Sequence, residues 1–431
     1  MTGSSSTAMS SAIAPPTAPD PEWMLNMTET LQDARSPESL AGASALLAHL
    51  PERKGFGDAT LVRLSEGSID LGGGNPSTDV LPTDLYRDAA AAVTESAGFA
   101  ETLRYSASAG LPSFRAAIAA REDVDPGRVI VTDGGAHGLS LAALGTLDPG
   151  DTIVVDDPVY PLFLRVLDLV GVNVEAIPVT SEGIDVDALA ARLRAGLRPK
   201  ALFTVPTFQN PSGATLTAEK SAALVDLAEQ YGFLILSDDP YRQIAFPGTV
   251  VPARPRLRET DRVIAVNSFS KTLGPGLRLG WLTVPTALEA GFTKLRNRLD
   301  GQTSGVLQDL VGRMLTDPRL DPAIAAAGAV YQDKARVLTS ALREQFGDGV
   351  ELTDPTGGFF VWARLGGDLD FARVFEAAQD LGVTYQRGEW FAAGAQEFRG
   401  FVRLSFAEPD VESLREGVAR LARAWRAEGG R

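Results

Sequence analysis

The chain has 431 residues, enough for two or three domains at about 150 residues each. With 55 acidic and 40 basic residues it carries a formal net charge of −15, which disfavours nucleic acid or an anionic membrane as the main partner. It contains no cysteine and only two histidines, so disulfides, thiol catalysis and cysteine-ligated zinc are excluded, and we expect no metal site.

The first 25 residues are rich in Ser, Ala and Pro, a composition that predicts a disordered tail. They lack the basic start and the continuous apolar stretch of a signal peptide. No run of 18 or more apolar residues occurs anywhere in the sequence, so we predict no membrane-spanning helix. A cytoplasmic protein is the resulting expectation.

From about residue 85, helical stretches alternate with short apolar runs rich in β-branched residues. Two helices are predicted at Val186–Arg194 and Ala218–Tyr231, the second with Thr217 as its N-cap. This alternation predicts a mostly parallel sheet with helices on both faces, with ligands bound at the carboxyl ends of its strands. The predicted strands are 129–132, 152–155, 201–205, 233–237, 263–266 and 281–284.

The pattern changes after about residue 320. A long helix over 322–345 leads to strands at 358–365 and 401–406 and to a final helix at about 411–426, which predicts a smaller α+β unit. The predicted organisation is therefore a disordered tail (1–25), a segment that packs with the small domain (26–75), a large domain (76–320) and a small domain (321–431).

The segment NSFSKTLGPGLRLGW, residues 267–281, follows a predicted strand. The amine of Lys271 can form a Schiff base with an aldehyde if burial and nearby cations lower its pKa. The hydroxyls of Ser268 and Ser270 and the guanidinium of Arg278 can hold a phosphate. Pyridoxal phosphate, a phosphorylated aldehyde, meets both requirements. The alternative is an exposed lysine on a Ser- and Gly-rich loop.

This segment resembles the Schiff-base lysine loop of the class I and II aminotransferases, which have the aspartate-aminotransferase-like fold (fold type I) of pyridoxal-phosphate enzymes. Its SFSKTLxPGLRLG form is most similar to the subgroup that contains 2-aminoadipate aminotransferases and the aminotransferase-like domains of MocR-type regulators. The resemblance extends over about residues 65–410. It implies a large α/β domain with a mostly parallel sheet between helices, a smaller α+β domain and pyridoxal phosphate as the cofactor.

Two acidic residues follow the predicted strand 233–237, where a carboxylate can pair with the protonated pyridine nitrogen of the cofactor. The resemblance assigns this role to Asp238, three residues before Tyr241, which should hydrogen-bond the phenolic oxygen. Asp239 competes for the same role, and either residue could instead cap a helix. Asn210, in the turn NPSG, is implied as a second donor to the phenolic oxygen.

Residues 131–137 follow a strand and open a helix, and N–H groups at a helix N-terminus bind phosphate well. The resemblance makes Gly135 and Ala136 the phosphate contacts, and Tyr160 the ring that stacks on the pyridine. His137 stands where relatives often carry glutamine. Its role is open between packing at the start of the helix and proton transfer.

Arg403 interrupts an apolar strand, and a buried arginine needs an anion. The resemblance identifies that anion as the α-carboxylate of the substrate, and a structural ion pair is the alternative. Gly73 and Gly74 resemble the glycine loop that closes over the same carboxylate, which Asn210 also contacts. Asn75 replaces a residue that is more often apolar.

Tyr105 resembles the tyrosine that reaches the phosphate of the neighbouring subunit, which implies a homodimer. No second arginine for a distal substrate carboxylate can be assigned, and Arg104 and Arg387 are only candidates. The first 60 residues are too short and too acidic for a winged-helix DNA-binding domain.

The predicted function is transfer of an amino group from an L-amino acid to a 2-oxo acid, with Lys271 holding the cofactor and moving the proton between substrate and cofactor. The same residues would also suit elimination or replacement, decarboxylation or oxidation of an amino acid. A cofactor-binding regulatory protein without turnover is the third possibility.

Overall fold

The computed structural model describes residues 44–48, 50, 51, 53 and 67–430. Residues 1–51 form one unit, in which a short helix is described, and residues 52–431 form a second, compact unit. The predicted disordered tail (1–25) lies outside the described residues. The predicted boundary at residue 320 falls inside the second unit and stays a prediction.

The strands are, in chain order, β1 (Ile69–Asp70), β2 (Val129–Thr132), β3 (Thr152–Asp157), β4 (Asn173–Thr180), β5 (Gly183–Ile184), β6 (Ala201–Thr204), β7 (Leu234–Asp238), β8 (Val263–Ser268), β9 (Gly280–Thr283), β10 (Val350–Leu352), β11 (Phe360–Leu365), β12 (Val383–Thr384), β13 (Gln386–Arg387) and β14 (Phe401–Ser405). The helices are α1 (Ala45–Ala48), α2 (Thr83–Thr94), α3 (Phe99–Thr102), α4 (Pro112–Glu122), α5 (Gly135–Thr146), α6 (Pro161–Val170), α7 (Val186–Arg194), α8 (Ala218–Tyr231), α9 (Pro255–Glu259), α10 (Glu289–Leu299), α11 (Gly305–Leu315), α12 (Leu320–Phe346), α13 (Phe371–Asp380) and α14 (Val411–Ala427). Among these helices, none combines the length and the apolar character needed to cross a bilayer.

The central sheet has the strand order β2-β9-β8-β7-β6-β3-β4-β5. The five strands from β8 to β4 pair in parallel, whereas β9 is antiparallel to both of its neighbours and β5 is antiparallel to β4. Because the parallel strands run in one direction, their carboxyl ends meet at one edge, where we expect the ligand.

Helices cover both faces of this sheet. Along β3, Ile153 and Val155 pack in one apolar core with helices α5 and α6, whereas Val154 packs in another core with α7 and α8. Side chains alternate between the two faces of a strand, so a strand buried on both faces becomes a continuous apolar run. This arrangement confirms the predicted α/β architecture.

The predicted helix Ala218–Tyr231 has the bounds that the structure gives to α8. The hydroxyl of Thr217 accepts a hydrogen bond of 3.2 Å from the backbone N–H of Lys220, which confirms the predicted N-cap. The acidic residue in the first turn, Glu219, also has the sign that the helix dipole favours.

The smaller sheet is antiparallel, with the order β10-β11-β14-β13, and packs with α12 and α14. Residues 69–71 of the segment before residue 75 contact strands of this part of the chain, whereas Arg53 pairs with Asp168 of α6. The assignment of the whole segment to the small domain stays a prediction. β1 pairs in parallel with β12, and the carbonyl oxygen of Leu71 accepts a hydrogen bond from the N–H of Ser405 in β14. Residues 26–43 and 54–66 of this segment lie outside the described residues.

No strand is predicted at β4, yet β4 is the longest strand of the central sheet that the structure describes. It reads NVEAIPVT, in which Glu175 and Pro178 interrupt the apolar pattern. This sequence is tolerated because β4 lies next to the edge, where β5 covers only its last two residues and much of the strand is exposed.

Candidate active site

The carboxyl ends of the parallel strands open into a pocket of about 260 Å³. β3 leads to Tyr160, β6 leads to the turn with Asn210, β7 ends at Asp238, and β8 leads to Lys271. Neighbouring parallel strands end at the same edge, so residues distant in sequence meet here. The predicted cofactor-binding residues that line this pocket are Gly135, Ala136, Tyr160, Asn210, Asp238, Tyr241, Ser268, Ser270, Lys271 and Arg278.

Lys271 ends a single 3-10 turn, Phe269–Lys271, that directly follows β8. Its Nζ donates a hydrogen bond of 2.6 Å to the carbonyl oxygen of Gly74. The same nitrogen lies 5.8 Å from the ring centroid of Tyr241 and 5.7 Å from that of Phe359. The amine is therefore held between the predicted glycine loop and two aromatic rings, and it is not an exposed surface lysine.

The electrostatic surroundings of Lys271 favour its neutral form. Burial, aided by the positive charge of Arg403, lowers the pKa of Lys271 to about 8, although the negative charge of Asp238 opposes this shift. A neutral amine is the form that attacks an aldehyde and that accepts a proton. The pocket thus raises the reactive fraction of Lys271 near neutral pH.

The start of α5 is shaped to let a cation approach the backbone. Gly134 has φ of +88°, and a Cβ at this position would lie 2.8 Å from an Nη atom of Arg278. Arg278 donates a hydrogen bond of 2.9 Å to the carbonyl oxygen of Asp133. Only glycine leaves room for the guanidinium here, so the turn brings Arg278 to the helix N-terminus.

Two hydroxyl groups complete this corner of the pocket. The Oγ atoms of Ser268 and Ser270 lie 2.8 Å apart, and a Cβ on Gly135 would lie 3.4 Å from the Cβ of Ser268. A helix N-terminus, two hydroxyls and a guanidinium at one point form a site that suits a phosphate group. These residues fit the phosphate of pyridoxal phosphate.

The structure distinguishes the two neighbouring aspartates at the end of β7. Asp238 lines the pocket and is 6% exposed. Oδ2 of Asp239 lies 3.9 Å from Nη1 of Arg254, and Asp239 does not line this pocket. Burial, together with the charge of Asp239, raises the pKa of Asp238 to about 7. A buried carboxyl group with a raised pKa gains most from a cation beside it, which fits the protonated pyridine nitrogen.

Asn210 links the cofactor pocket to the predicted carboxylate site. Its Oδ1 accepts a hydrogen bond of 3.0 Å from Nη1 of Arg403, and its side chain also hydrogen-bonds Tyr241. Asn210 is 2% exposed and Tyr241 is 4% exposed. The amide is therefore fixed in orientation between a phenol and a guanidinium.

Arg403 is fully buried. Its Nη2 donates to the carbonyl oxygen of Gly72, and its Cζ lies 4.0 Å from the ring centroid of Phe360 and 5.3 Å from that of Phe391. Burial lowers the pKa of Arg403 to about 10. The hydrogen bonds to Asn210 and Gly72 use neutral oxygens, and a buried guanidinium favours an anion beside it.

The sequence analysis did not name Gly72, Phe360 or Phe391. Gly72 was one residue outside the predicted pair Gly73 and Gly74, although the run of three glycines offered the signal. Phe360 lies against Arg403 because β11 pairs with β14. Phe391 reaches Arg403 from the end of the 3-10 turn that follows β13. No spacing in the sequence reveals these contacts.

Tyr105 is the one predicted cofactor-binding residue that the structure places away from the pocket. Its side chain is fully exposed. The backbone on both sides of it is held by Gln302, which accepts from the N–H of Ser106 and donates to the carbonyl oxygen of Arg104 at 3.3 Å. The exposed ring is thus carried on an anchored loop, and its predicted contact with a second subunit stays a prediction.

His137 lies in a polar cluster at the start of α5 and does not line the pocket. Its Nδ1 accepts a hydrogen bond of 3.1 Å from the N–H of Asp133 and lies 3.6 Å from a carboxylate oxygen of Asp300. The spacing of these three side chains would suit a metal ion, but the buried Arg296 already pairs with both carboxylates, at 3.3 and 2.6 Å. The geometry favours the packing interpretation of His137.

The chain is similar to known proteins over most of its length. Residues 66–421 match the family model described as aminotransferase class I and II. The chain is 32% identical over 374 residues to aromatic-amino-acid aminotransferase 1 of Thermococcus litoralis, covering 84% of this chain and 89% of that protein. It is 33% identical over 303 residues to the HTH-type transcriptional regulator TauR of Rhodobacter capsulatus, covering 70% of this chain and 61% of the regulator.

Among solved structures, the α-aminoadipate aminotransferase of Thermus thermophilus, complexed with N-(5′-phosphopyridoxyl)-L-leucine, matches with a TM-score of 0.78 and 30% identity. The match covers 84% of this chain and 93% of that one. The chain belongs to the class I and II aminotransferases, enzymes that use pyridoxal phosphate to transfer amino groups.

Proposed function

We propose that the protein moves the amino group of an L-amino acid to a 2-oxo acid in two alternating half-reactions at the pocket around Lys271. One observation carries this proposal. Lys271 binds the carbonyl oxygen of Gly74, and Arg403 binds that of Gly72, two residues away on the same loop. The reactive amine and the candidate carboxylate-binding cation are thus bound to one short loop, and a reaction at the Cα of an amino acid requires the two to be near each other.

Each part of the cofactor has a candidate partner in the pocket. Lys271 would bind its aldehyde carbon, Asp238 its ring nitrogen, and Tyr160 one face of its ring. Asn210 and Tyr241 would bind its phenolic oxygen. The candidate phosphate contacts are Gly135, Ala136, Ser268, Ser270 and Arg278. When bound, pyridoxal phosphate supplies an electron sink for the negative charge that remains after the Cα proton is removed.

The chain's own residues position the amino acid and move the proton. Arg403 and Asn210, with the loop of Gly73 and Gly74, would fix the α-carboxylate and so determine which Cα bond reacts. Lys271 would take the proton from Cα of the amino acid and deliver it to the aldehyde-derived carbon of the cofactor. Its lowered pKa suits both roles, since the amine must gain and lose a proton near neutral pH.

The test is an absorption spectrum of the cofactor-loaded enzyme during titration with single amino acids. The panel includes aromatic amino acids and 2-aminoadipate, because similar proteins act on these compounds. We expect one amino acid to remove the absorbance of the bound aldehyde and a 2-oxo acid to restore it. Turnover without a reversible change would indicate elimination, decarboxylation or oxidation, and binding without any change would indicate a regulatory protein.

We also propose a homodimer in which Tyr105 contacts the phosphate bound by its partner. The support is the full exposure of the Tyr105 ring on a loop that Gln302 anchors. Leu103, two residues earlier, is 65% exposed. An exposed aromatic and an exposed leucine on one anchored loop are typical of a surface that a partner covers. A cytoplasmic location stays a prediction.

Mixing two inactive variants tests this shared site. A Lys271→Ala subunit keeps Tyr105, and a Tyr105→Ala subunit keeps Lys271, so a mixed dimer contains one complete site. We expect about one quarter of the sites to recover after random exchange of equal amounts of both subunits. Activity is measured at limiting pyridoxal phosphate, before and after exchange. Recovery equal to the simple sum of the two variants would refute a shared site.

The pKa of Lys271 predicts how cofactor capture depends on pH. Because this pKa is lowered to about 8, the neutral amine increases as pH rises towards 8 and predominates above it. The rate at which cofactor-free protein captures pyridoxal phosphate should therefore rise with pH, reach half of its maximum near pH 8 and level off at higher pH. Arg403→Gln should move the midpoint to higher pH, since the positive charge of Arg403 lowers the pKa of Lys271. An unchanged midpoint would contradict this interpretation.

A further inference from the structure

Asp70, the last residue of β1, forms a turn with its own side chain. Its Oδ1 accepts hydrogen bonds from the N–H groups of Gly72, at 2.7 Å, and Gly73, at 3.0 Å. An aspartate that binds the backbone two and three residues ahead folds the chain locally into a turn. The shape of the glycine loop thus depends on one carboxylate that the proposed mechanism does not use.

This turn presents one carbonyl group to Arg403 and another to Lys271. With both N–H groups directed to Asp70, the carbonyl oxygen of Gly72 accepts from Arg403 and that of Gly74 accepts from Lys271 at 2.6 Å. The start of the loop is also attached to the strand that carries Arg403, because Leu71 accepts a hydrogen bond from Ser405. A relaxed turn would therefore release contacts to both cations.

The space around the turn explains why the loop contains glycine. A Cβ on Gly73 would lie 3.0 Å from Oδ2 of Asp70 and 3.3 Å from Oε2 of Glu408. A Cβ on Gly72 would lie 3.2 Å from Oδ1 of Asp70 and 3.0 Å from the amide nitrogen of Gln386. These distances are tighter than ordinary contacts, so the carboxylate and the glycines fit only as a set.

Asp70 also bears on the charge of the site. Burial raises its pKa, whereas the bonds from Gly72 and Gly73 and the positive charge of Arg403 lower it. In turn the charge of Asp70 favours the protonated form of Arg403. The carboxylate therefore acts on the guanidinium through its charge, while its Oδ1 is bonded to the loop.

We propose that Asp70 is a positioning residue for the α-carboxylate site: it folds the Gly72–Gly74 loop so that the carbonyl oxygens of Gly72 and Gly74 contact Arg403 and Lys271. The inference rests on the proposed function, because it assumes an amino acid at Arg403. According to this inference, Asp70 affects the binding of the substrate more than the rate at which the bound substrate reacts.

Three variants test the proposal. Asp70→Ala removes the turn, and Asp70→Asn keeps an oxygen that can accept both N–H groups but removes the charge. Asp185→Ala is the matched control, because Asp185 likewise accepts from the residues two and three ahead, at 3.1 and 2.9 Å, but at the start of α7. The enzyme is loaded with pyridoxal phosphate, and calorimetry measures binding of 3-phenylpropanoate, a carboxylate without an amino group.

We expect Asp70→Ala to weaken binding of 3-phenylpropanoate about tenfold, and to raise the half-saturating amino acid concentration similarly, with a maximal rate within about threefold of wild type. Asp70→Asn should remain within about threefold in binding, and Asp185→Ala should change neither quantity. Hydrogen exchange of the loop in cofactor-free protein should accelerate in Asp70→Ala alone, which tests the turn without relying on catalysis.

Unchanged binding of 3-phenylpropanoate in Asp70→Ala would overturn the proposal. Equal weakening of binding in Asp70→Ala and Asp185→Ala would overturn it as well. A fall in maximal rate with unchanged binding would also overturn it, because Asp70 would then act on the chemical step. If wild-type enzyme binds 3-phenylpropanoate but no amino acid changes the cofactor spectrum, the proposed function fails while the role of Asp70 at the carboxylate site stands. If wild-type enzyme does not bind the probe at all, the role of Asp70 at the carboxylate site fails, whereas the spectral titration alone decides the proposed function.

Discussion

Lys271→Ala should abolish turnover, with a loss of about 10,000-fold or more in the rate of the half-reaction. Two functions disappear together, because the same amine would bind the aldehyde of the cofactor and move the Cα proton. The pocket offers no close substitute among its described lining residues, where Arg278 is the other cationic side chain. The measurement is the rate of the absorbance change with a saturating amino acid, together with the absorbance of the loaded protein.

Lys220→Ala is the control for this variant. Lys220 is a surface lysine at the start of α8 that pairs with Asp187 at 2.6 Å. We expect wild-type rates and a wild-type spectrum. If Lys271→Ala retained a rate within about tenfold of wild type, another group would have to move the proton, and the role assigned to Lys271 would be wrong.

Arg403→Lys should lower kcat/KM by roughly 100- to 1,000-fold, chiefly through KM. A lysine cannot bind Asn210, Gly72 and a carboxylate at once, because it lacks the planar fork of the guanidinium. The decisive comparison uses an amine that has no carboxylate and therefore has no group for Arg403 to bind. Its already slow reaction should be almost unaffected by the substitution, so the preference for amino acids over simple amines should fall.

Arg128→Lys is the matched control, since Arg128 also donates to backbone carbonyl oxygens, those of Val284 and Arg258, at 2.9 and 3.2 Å. It lies outside the described pocket, and we expect unchanged kinetics. Should Arg403→Lys slow amines and amino acids equally, Arg403 would support the fold and would not recognise the carboxylate.

The sequence by itself determined the architecture, and its resemblance to a known family indicated most residues of the pocket. Asp238, Asn210 and Lys271 each follow an apolar run, and in a parallel sheet the carboxyl ends of neighbouring strands share one edge. Chain order and hydrophobic pattern therefore predict that these residues meet, although some 60 positions separate the first from the last. The alternation of apolar residues likewise predicts helices on both faces.

Only the tertiary structure decided how the side chains point and what supports them. It separated Asp238 from Asp239, directed His137 into the cluster around Arg296, and placed Phe360 against Arg403. These outcomes depend on strand register and on contacts between residues distant in the chain, and a one-residue change of register reverses the face of every side chain. Local sequence pattern fixes the period of an element, whereas the direction of a buried polar group is decided by the partners that it finds after folding.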